Sequence, residues 1–108
     1  MAKKIKPIRY SDEELRAFKT LINKRIFHSK IILKYHMNEY DKNPDDIETF
    51  SQIAMQRYTI SELKEALERI KNRRFGVCEK TRKLIDTKSL QLVPYVRTIE
   101  DAELLLGK

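Results

Sequence analysis

Residues 41–46, which read DKNPDD, separate two long segments with helical periodicity and thereby decide the fold. Neither Gly nor Pro occurs in residues 12–43 or 45–75. Within the break, Asn43 can cap a helix, Pro44 suits a first helical position, and acidic residues follow in the first turn. The pattern predicts a tight turn at 41–46 and a second helix that begins there.

The first segment carries a start signal at its N-terminal end. Ser11-Asp-Glu-Glu14 matches a capping box, and Tyr10 and Leu15 are placed for a hydrophobic staple. One stripe with a spacing of three or four residues then contains Leu15, Phe18, Ile22, Ile26, Ser29, Ile32, Leu33, His36 and Tyr40. These signals predict a helix from Asp12 to Tyr40.

The second segment has a matching stripe and should end near Arg74, before Gly76. Its members are Phe50, Ile53, Ile60, Leu63, Leu67 and Ile70, and Glu65 and Arg69 are spaced for a supporting ion pair. Short connections between helices give antiparallel neighbours. The sequence therefore predicts a long antiparallel helical hairpin, with polar residues such as Ser29, His36 and Gln56 on or beside its seam.

After Gly76 the helical period stops. Phe75-Gly-Val-Cys78 and Leu84-Ile85 flank the polar turn 79–83, which predicts a small two-stranded finger. Thr98 opens a short last helix that Gly107 closes. The apolar residues expected to hold this head together are Phe75, Val77, Leu84, Leu90, Leu92, Val93, Tyr95, Val96, Ile99 and Leu105.

The predicted fold class is mainly α: a long antiparallel helical hairpin (coiled coil), a small C-terminal head resembling a zinc finger without metal, and a short terminal helix. Residues 1–10 form a basic N-terminal segment. The hairpin occupies 11–74 with its tip near 41–46, and the head occupies 75–108.

Charge is unevenly distributed in this chain of 108 residues, which has 23 Lys and Arg against 16 Asp and Glu, a net charge of +7. Residues 41–48 contain four acids and one lysine, whereas residues 69–88 contain eight Lys or Arg against two acids. A net positive charge suits a nucleic acid, an anionic membrane or an acidic protein surface. The sequence predicts an acidic hairpin tip and a basic head.

Several function classes are disfavoured. No phosphate-binding loop, nucleophile elbow or catalytic grouping is present, so we expect no enzymatic activity and no cofactor. The single cysteine, Cys78, can form neither an internal disulfide nor a structural zinc site by itself, and it is expected to be a small buried residue. The short apolar runs predict no membrane span, and we expect a cytoplasmic protein.

The chain resembles a known protein family. The run from Leu63 to Pro94, LKEALERIKNRRFGVCEKTRKLIDTKSLQLVP, is similar to the junction and finger of DksA/TraR-type bacterial proteins, in which an aromatic-Gly-x-Cys step ends the second hairpin helix. The similarity extends more weakly to the start of the first helix, RYSDEELRAFKTLI, and to the C-terminal helix.

This resemblance implies a function. Proteins of the family insert the hairpin into the secondary channel of RNA polymerase, and acidic residues at the tip approach the active centre and alter initiation. The expected partner is therefore RNA polymerase, and the expected oligomeric state is monomeric. The partner-contacting tip would comprise Asp45, Asp46, Glu48 and Phe50, and the docking head would comprise Arg73, Arg74, Lys80, Arg82 and Lys83.

The chain departs from the family at two places. The usual tip motif, Asp-x-x-Asp-x-Ala, reads Asp45-Asp-Ile-Glu48-Thr-Phe50. The finger of the family usually binds zinc through two Cys-x-x-Cys pairs, which here read Cys78-Glu-Lys-Thr81 and Thr98-Ile-Glu-Asp101. Three of the four thiols are missing, so a zinc-free head is expected. His28 and His36 lie on the first helix and are expected to have packing or surface roles.

Two other functions remain open from the residues. The first is a nucleic-acid-binding module whose phosphate-contacting patch contains Lys71, Arg73, Arg74, Lys80, Arg82 and Lys83. The second is a structural coiled-coil protein that self-associates, with Tyr35, Met37 and Tyr58 as spare apolar contacts.

Overall fold

The computed structural model describes residues 8–107, and in this range the chain forms four helices. They are α1 (Asp12–Lys42), α2 (Ile47–Lys71), α3 (Thr87–Leu92) and α4 (Ile99–Leu106). Helices α1 and α2 fold back on each other and pack together, and the molecule measures 69 × 26 × 18 Å. The predicted pair of long packed helices is confirmed. Most of the basic N-terminal segment, residues 1–7, lies outside the described residues.

The start of α1 follows the sequence signal. The Ser11 hydroxyl accepts a hydrogen bond from the Glu14 amide at 3.1 Å, and the Glu14 carboxylate accepts one from the Ser11 amide at 3.1 Å. Tyr10 and Leu15, the two staple positions, are both buried. The capping box satisfies two amides that a helix end would otherwise leave unpaired. The predicted start is confirmed.

The turn between the helices differs from the prediction. Asn43 ends α1 instead of starting α2, because its amide donates to the Glu39 and Tyr40 carbonyls. The N-cap of α2 is Asp46, so the predicted start at Pro44 is wrong by three residues. Both residues are good caps, but Asn43 already ends α1, so Asp46 is the residue that caps α2.

The buried seam is most continuous near the base of the hairpin and becomes sparser towards the tip. The buried residues along it are Leu15, Phe18, Ile22, Ile26 and Ser29 on α1, and Ile53, Ile60, Leu63 and Ala66 on α2. Towards the tip, Leu33, His36, Gln56 and Tyr40 are only half-buried, whereas Ile32 and Phe50 are exposed. The expectation of an imperfect seam is confirmed. Placing Ile32 within it was wrong, because the two helices bury a narrower stripe here. Phe50 was assigned both to the stripe and to the tip, and its exposed side chain leaves only the assignment to the tip open.

Helix α2 ends at Lys71, three residues before the predicted end at Arg74, and Asn72 caps it. Arg73 then adopts a left-handed backbone with φ of 58°. The amides of Arg74 and Phe75 both donate to the Arg69 carbonyl, at 2.8 and 3.1 Å. These bonds satisfy a carbonyl of the last helical turn.

The predicted ion pair between Glu65 and Arg69 is not formed. Arg69 is buried and donates to the Tyr95 carbonyl at 3.2 Å, and its burial lowers the pKa of the guanidinium. Glu65 instead pairs with Arg97 of the head. A spacing of four residues allows such a pair. The tertiary fold, however, places the Tyr95 carbonyl of the head beside Arg69, and the guanidinium donates to this carbonyl instead.

The head contains less extended structure than predicted. Within the described residues the expected finger forms one antiparallel bridge, between Val77 and Leu84, and no strand. Helix α3, which the sequence reading missed, follows with Asp86 as its N-cap. Helix α4 begins after Thr98 and ends at Gly107 as expected.

The head packs around a small group of buried side chains, including Phe75, Cys78, Ile85, Leu90 and Val96. Three residues expected in this core, Leu84, Leu92 and Leu105, are exposed instead. Leu84 belongs to the single bridge, and Leu92 and Leu105 lie on sides of short helices that no described residue covers.

The head wraps the base of the hairpin. The Tyr10 hydroxyl donates to the Ile85 carbonyl, and Arg25 donates to the Leu92 carbonyl at 2.7 Å. Arg97 of the head pairs with Glu62 of α2 at 3.1 Å. These contacts reach no further along the hairpin than Arg25 and Glu62. Beyond them the two helices project as an arm of about 25 Å at 1.5 Å per residue.

Candidate functional site

The hairpin tip exposes acidic side chains at the end of the arm. Asp45 lies in the turn between α1 and α2, and Glu48 lies in the first turn of α2, where both are exposed to solvent. Asp41 is exposed on the last turn of α1. The expected acidic tip is therefore present as a surface feature, and its carboxylates lie on an open surface.

Asp46 differs from its acidic neighbours because the fold itself uses its carboxylate. It accepts hydrogen bonds from the Glu48 amide at 3.0 Å, the Thr49 amide at 3.2 Å and the Thr49 hydroxyl at 2.9 Å. The bonds from Thr49, followed by that from Glu48, hold the pKa of Asp46 below its ordinary value. Asp46 therefore shapes the tip, and Asp45 and Glu48 are the carboxylates most available to a partner.

Two apolar side chains lie among the tip acids. Phe50 is 59% exposed, and its ring centroid lies 6.1 Å from that of Tyr40. Ile47 is 80% exposed between Asp46 and Glu48. Ile47 was not predicted as a tip residue because it lies off the seam spacing, although an apolar residue among four acids is itself a signal in the sequence. Both side chains give the tip apolar area that a partner could bury.

The expected docking residues Arg73 and Arg74 lie at the junction between α2 and the head. Both are exposed. Arg73 makes an ion pair with Asp12 at 3.3 Å, which links the junction to the start of α1. Hydrogen bonds from Arg9 and the positive charge of Arg73 hold the pKa of Asp12 below its ordinary value. Arg74 makes no ion pair with any described residue.

The other three docking residues belong to the turn at 79–83. Lys80 pairs with Glu100 at 3.0 Å, a contact that raises the pKa of the lysine. Arg82 has a left-handed backbone with φ of 64°, and both Arg82 and Lys83 are exposed. Neither forms an ion pair within residues 8–107. Arg74, Arg82 and Lys83 are thus the bases of this patch that are free to meet an external anion.

Cys78 is the one thiol at the four positions where the resembled family usually has cysteines. Its side chain is 1% exposed, and its sulfur accepts a hydrogen bond from the Ile99 amide at 3.3 Å. Burial raises the pKa of the thiol, but hydrogen bonds from Thr81, Ile99 and Lys80 outweigh burial and bring it to about 7. The sulfur therefore ties the turn at 79–83 to the start of α4 through hydrogen bonds, and its burial agrees with the sequence expectation.

The residues of the alternative functions are also on the surface. Lys71 is exposed next to the junction, so the basic patch would be accessible to phosphates. Tyr35, Met37 and Tyr58 are 60%, 40% and 60% exposed. His28 and His36 lie on α1 in shallow surface grooves, away from the head.

Within the described part of the chain, no three His, Cys, Asp or Glu side chains are grouped so that they could hold a metal ion. No described helix is both long and apolar enough to cross a membrane. Comparison of the chain with family models, with curated proteins and with solved structures finds no match.

Proposed function

We propose that this protein is a transcription regulator of the DksA/TraR kind, which binds RNA polymerase and places its hairpin tip in the secondary channel. The observation that carries the proposal is the exposure of Asp45 and Glu48 at the far end of a slender arm. Exposed charges at the end of a narrow projection suit a partner whose functional centre lies inside a channel.

The dimensions of the arm support this function. An α-helix with its side chains is about 10 to 12 Å across, so the projecting part of the hairpin is two helices wide and one helix thick. Among the described residues, the hydrogen bonds and ion pairs between the head and the hairpin extend no further than Arg25 and Glu62. If the head rests on the rim of a channel, the tip can act about 25 Å inside it.

The charge distribution supports a division of roles between the two ends. Arg74, Arg82 and Lys83 would meet an acidic surface at the channel entrance, where complementary charge speeds association and fixes orientation. Asp45 and Glu48 would change the electrostatic potential near the reacting groups of the partner. The protein itself would perform no chemical step.

A binding measurement with purified core RNA polymerase tests the docking role. Replacing Arg82 and Lys83 with Glu should weaken binding by about tenfold or more at low salt, and the loss should shrink as salt rises because screening weakens both attraction and repulsion. The matched control replaces Lys64 and Lys88 with Glu, which changes the charge equally at two other exposed positions.

The control variant should bind core enzyme nearly as well as the wild-type protein. Equal losses in both variants would show that net charge, and not the basic patch, governs binding. No binding of the wild-type protein at low salt would contradict the proposed function. Tight salt-dependent binding to DNA alone would instead favour the nucleic-acid-binding alternative.

A further inference from the structure

In the central part of α1, every charged residue is basic. Residues 15–38 contain no Asp or Glu and six Lys or Arg: Arg16, Lys19, Lys24, Arg25, Lys30 and Lys34. The whole of α2, by contrast, contains four acids and four bases. A solvent-exposed helix usually mixes both signs, because pairs four residues apart stabilise it. The charge of α1 is therefore not explained by the stability of the helix.

Large apolar side chains are exposed on the same part of α1. Phe27, Ile31 and Tyr35 follow one another at a spacing of four residues and are 67%, 52% and 60% exposed. This spacing places them on one face of the helix. Exposed Lys30 and Lys34 lie along one side of them, and exposed Lys24 lies one turn before Phe27 on the same face. We call the set Lys24, Phe27, Lys30, Ile31, Lys34 and Tyr35 the outer stripe.

Nothing in the described part of the chain covers the outer stripe. The opposite side of α1 forms the seam with α2 through Ile22, Ile26 and Ser29. Within residues 8–107, the hydrogen bonds from α1 to the head extend no further along α1 than Arg25. Contiguous exposed apolar patches bordered by polar residues can mark interaction sites, whereas apolar residues scattered singly need no explanation.

We propose that the outer stripe binds an acidic amphipathic helix of a partner protein. Such a helix would bury its apolar face on Phe27, Ile31 and Tyr35 and place its carboxylates beside the flanking lysines. A second copy of this chain fits poorly, because two outer stripes in contact would bring lysines together. Nucleic acid would use the lysines but would gain little from burying Ile31.

The stripe is short, so the interaction is weak and reversible. Three side chains bury far less area than the roughly 1,600 Å² of a stable interface between proteins. The inference goes beyond the proposed function and does not rest on it. An acidic amphipathic helix would bind the outer stripe in the same way whichever partner protein contains that helix.

Fluorescence anisotropy with a designed peptide tests this inference in the absence of RNA polymerase. The probe is a labelled helical peptide of about 18 residues, long enough to hold helical structure, with Leu on one face and Glu on both flanks. A scrambled peptide of the same composition lacks the apolar face. The full chain should bind the amphipathic peptide about tenfold or more tightly than the scrambled one.

Variants locate the binding surface. Replacing Phe27, Ile31 and Tyr35 with Ala should reduce binding of the amphipathic peptide to the level of the scrambled one. The matched control, Met55→Ala with Tyr58→Ala, removes two apolar side chains that are 58% and 60% exposed on α2 and should leave binding unchanged. Circular dichroism should show the same helix content in both variants, since all five residues are exposed.

Three outcomes would overturn the inference: equal binding of both peptides, equal loss in both variants, or no binding of the amphipathic peptide at low salt. Tighter binding of an oligonucleotide or of anionic vesicles, with the same dependence on Phe27, Ile31 and Tyr35, would assign the stripe to another ligand. Failure of the polymerase assay would leave these peptide results unaffected.

Discussion

Gly76 joins the hairpin to the head at a position where a Cβ atom would collide with the Tyr10 ring. Its φ is +76°, and a Cβ atom there would lie 2.5 Å from Cε2 and 2.7 Å from Cδ2 of Tyr10, and 3.0 Å from Cδ1 of Leu90. Tyr10 cannot move aside easily, because its hydroxyl donates to the Ile85 carbonyl. We expect Gly76→Ala to lower the free energy of unfolding by roughly 2 to 4 kcal/mol, measured by denaturant titration.

Gly107 provides the matched control for this substitution. Its φ is +72°, but no atom lies within 4 Å of the position that a Cβ would take. Gly107→Ala should therefore cost only the backbone strain of about 1 kcal/mol. Equal losses at Gly76 and Gly107 would show that the contact with Tyr10 is not tight in solution.

Arg73 and Arg82 have left-handed backbones, which side chains other than Gly, Asn and Asp rarely adopt. Arg73→Gly should raise the free energy of unfolding by about 0.5 to 1 kcal/mol, because the relief of strain exceeds the loss of an exposed ion pair with Asp12. Arg74→Gly, at a residue without positive φ, should give no gain in the same denaturant titration. A loss of stability in Arg73→Gly would contradict the strain argument.

At the scale of single residues, the sequence predicted the structure well where the interaction is local. Ser11 and Glu14 lie three residues apart and form the expected capping box. The choice of Asp46 over Asn43 as the second cap was not predicted, because both residues are good caps and the actual end of α1 decides between them. The residue type of Arg73 gives no indication that its backbone is left-handed.

At the scale of elements, the two long helices were predicted because periodicity extends over many turns. The head was predicted less well. Its finger forms a single bridge, and α3 has only six residues, so contacts with the hairpin determine both more than local preference does. The exposed Leu92 and Leu105 show the same limit, since one turn of helix does not reveal which side faces a core.

A polar residue in the seam between α1 and α2 is a place where a substitution should stabilise the protein. The Gln56 side chain is half-buried, and its Oε1 atom makes no hydrogen bond with any described residue. Gln56→Leu should raise the free energy of unfolding by about 1 kcal/mol, because it removes a desolvated acceptor and adds apolar contact in the seam. Asn38→Leu, at an exposed position of α1, should change stability much less in the same titration. A loss in Gln56→Leu would indicate that the amide has a partner in solution.

At the scale of the whole molecule, the head and the arm form one elongated body, with exposed acids at the tip and the exposed bases Arg74, Arg82 and Lys83 near the opposite end. The sequence predicted both charged regions but not how far the head covers the hairpin. That coverage depends on contacts between residues distant in the chain, such as Arg25 with the Leu92 carbonyl and Arg97 with Glu62. No local pattern indicates them, although they determine the length of the projecting arm.

The central claim is that the tip acts and the head docks, and neutralising the tip separates the two roles. Asp45→Asn with Glu48→Gln removes two exposed charges while keeping side-chain shape, so the hairpin should lose little stability. The control, Asp101→Asn with Glu103→Gln, neutralises two exposed acids of α4.

The most direct measurement is initiation by purified RNA polymerase in the presence of each variant, together with its affinity for core enzyme. The account predicts that the tip variant binds within several-fold of the wild-type protein yet no longer changes initiation, whereas the control variant does both. A tip variant that binds and still changes initiation like the wild-type protein would contradict the account.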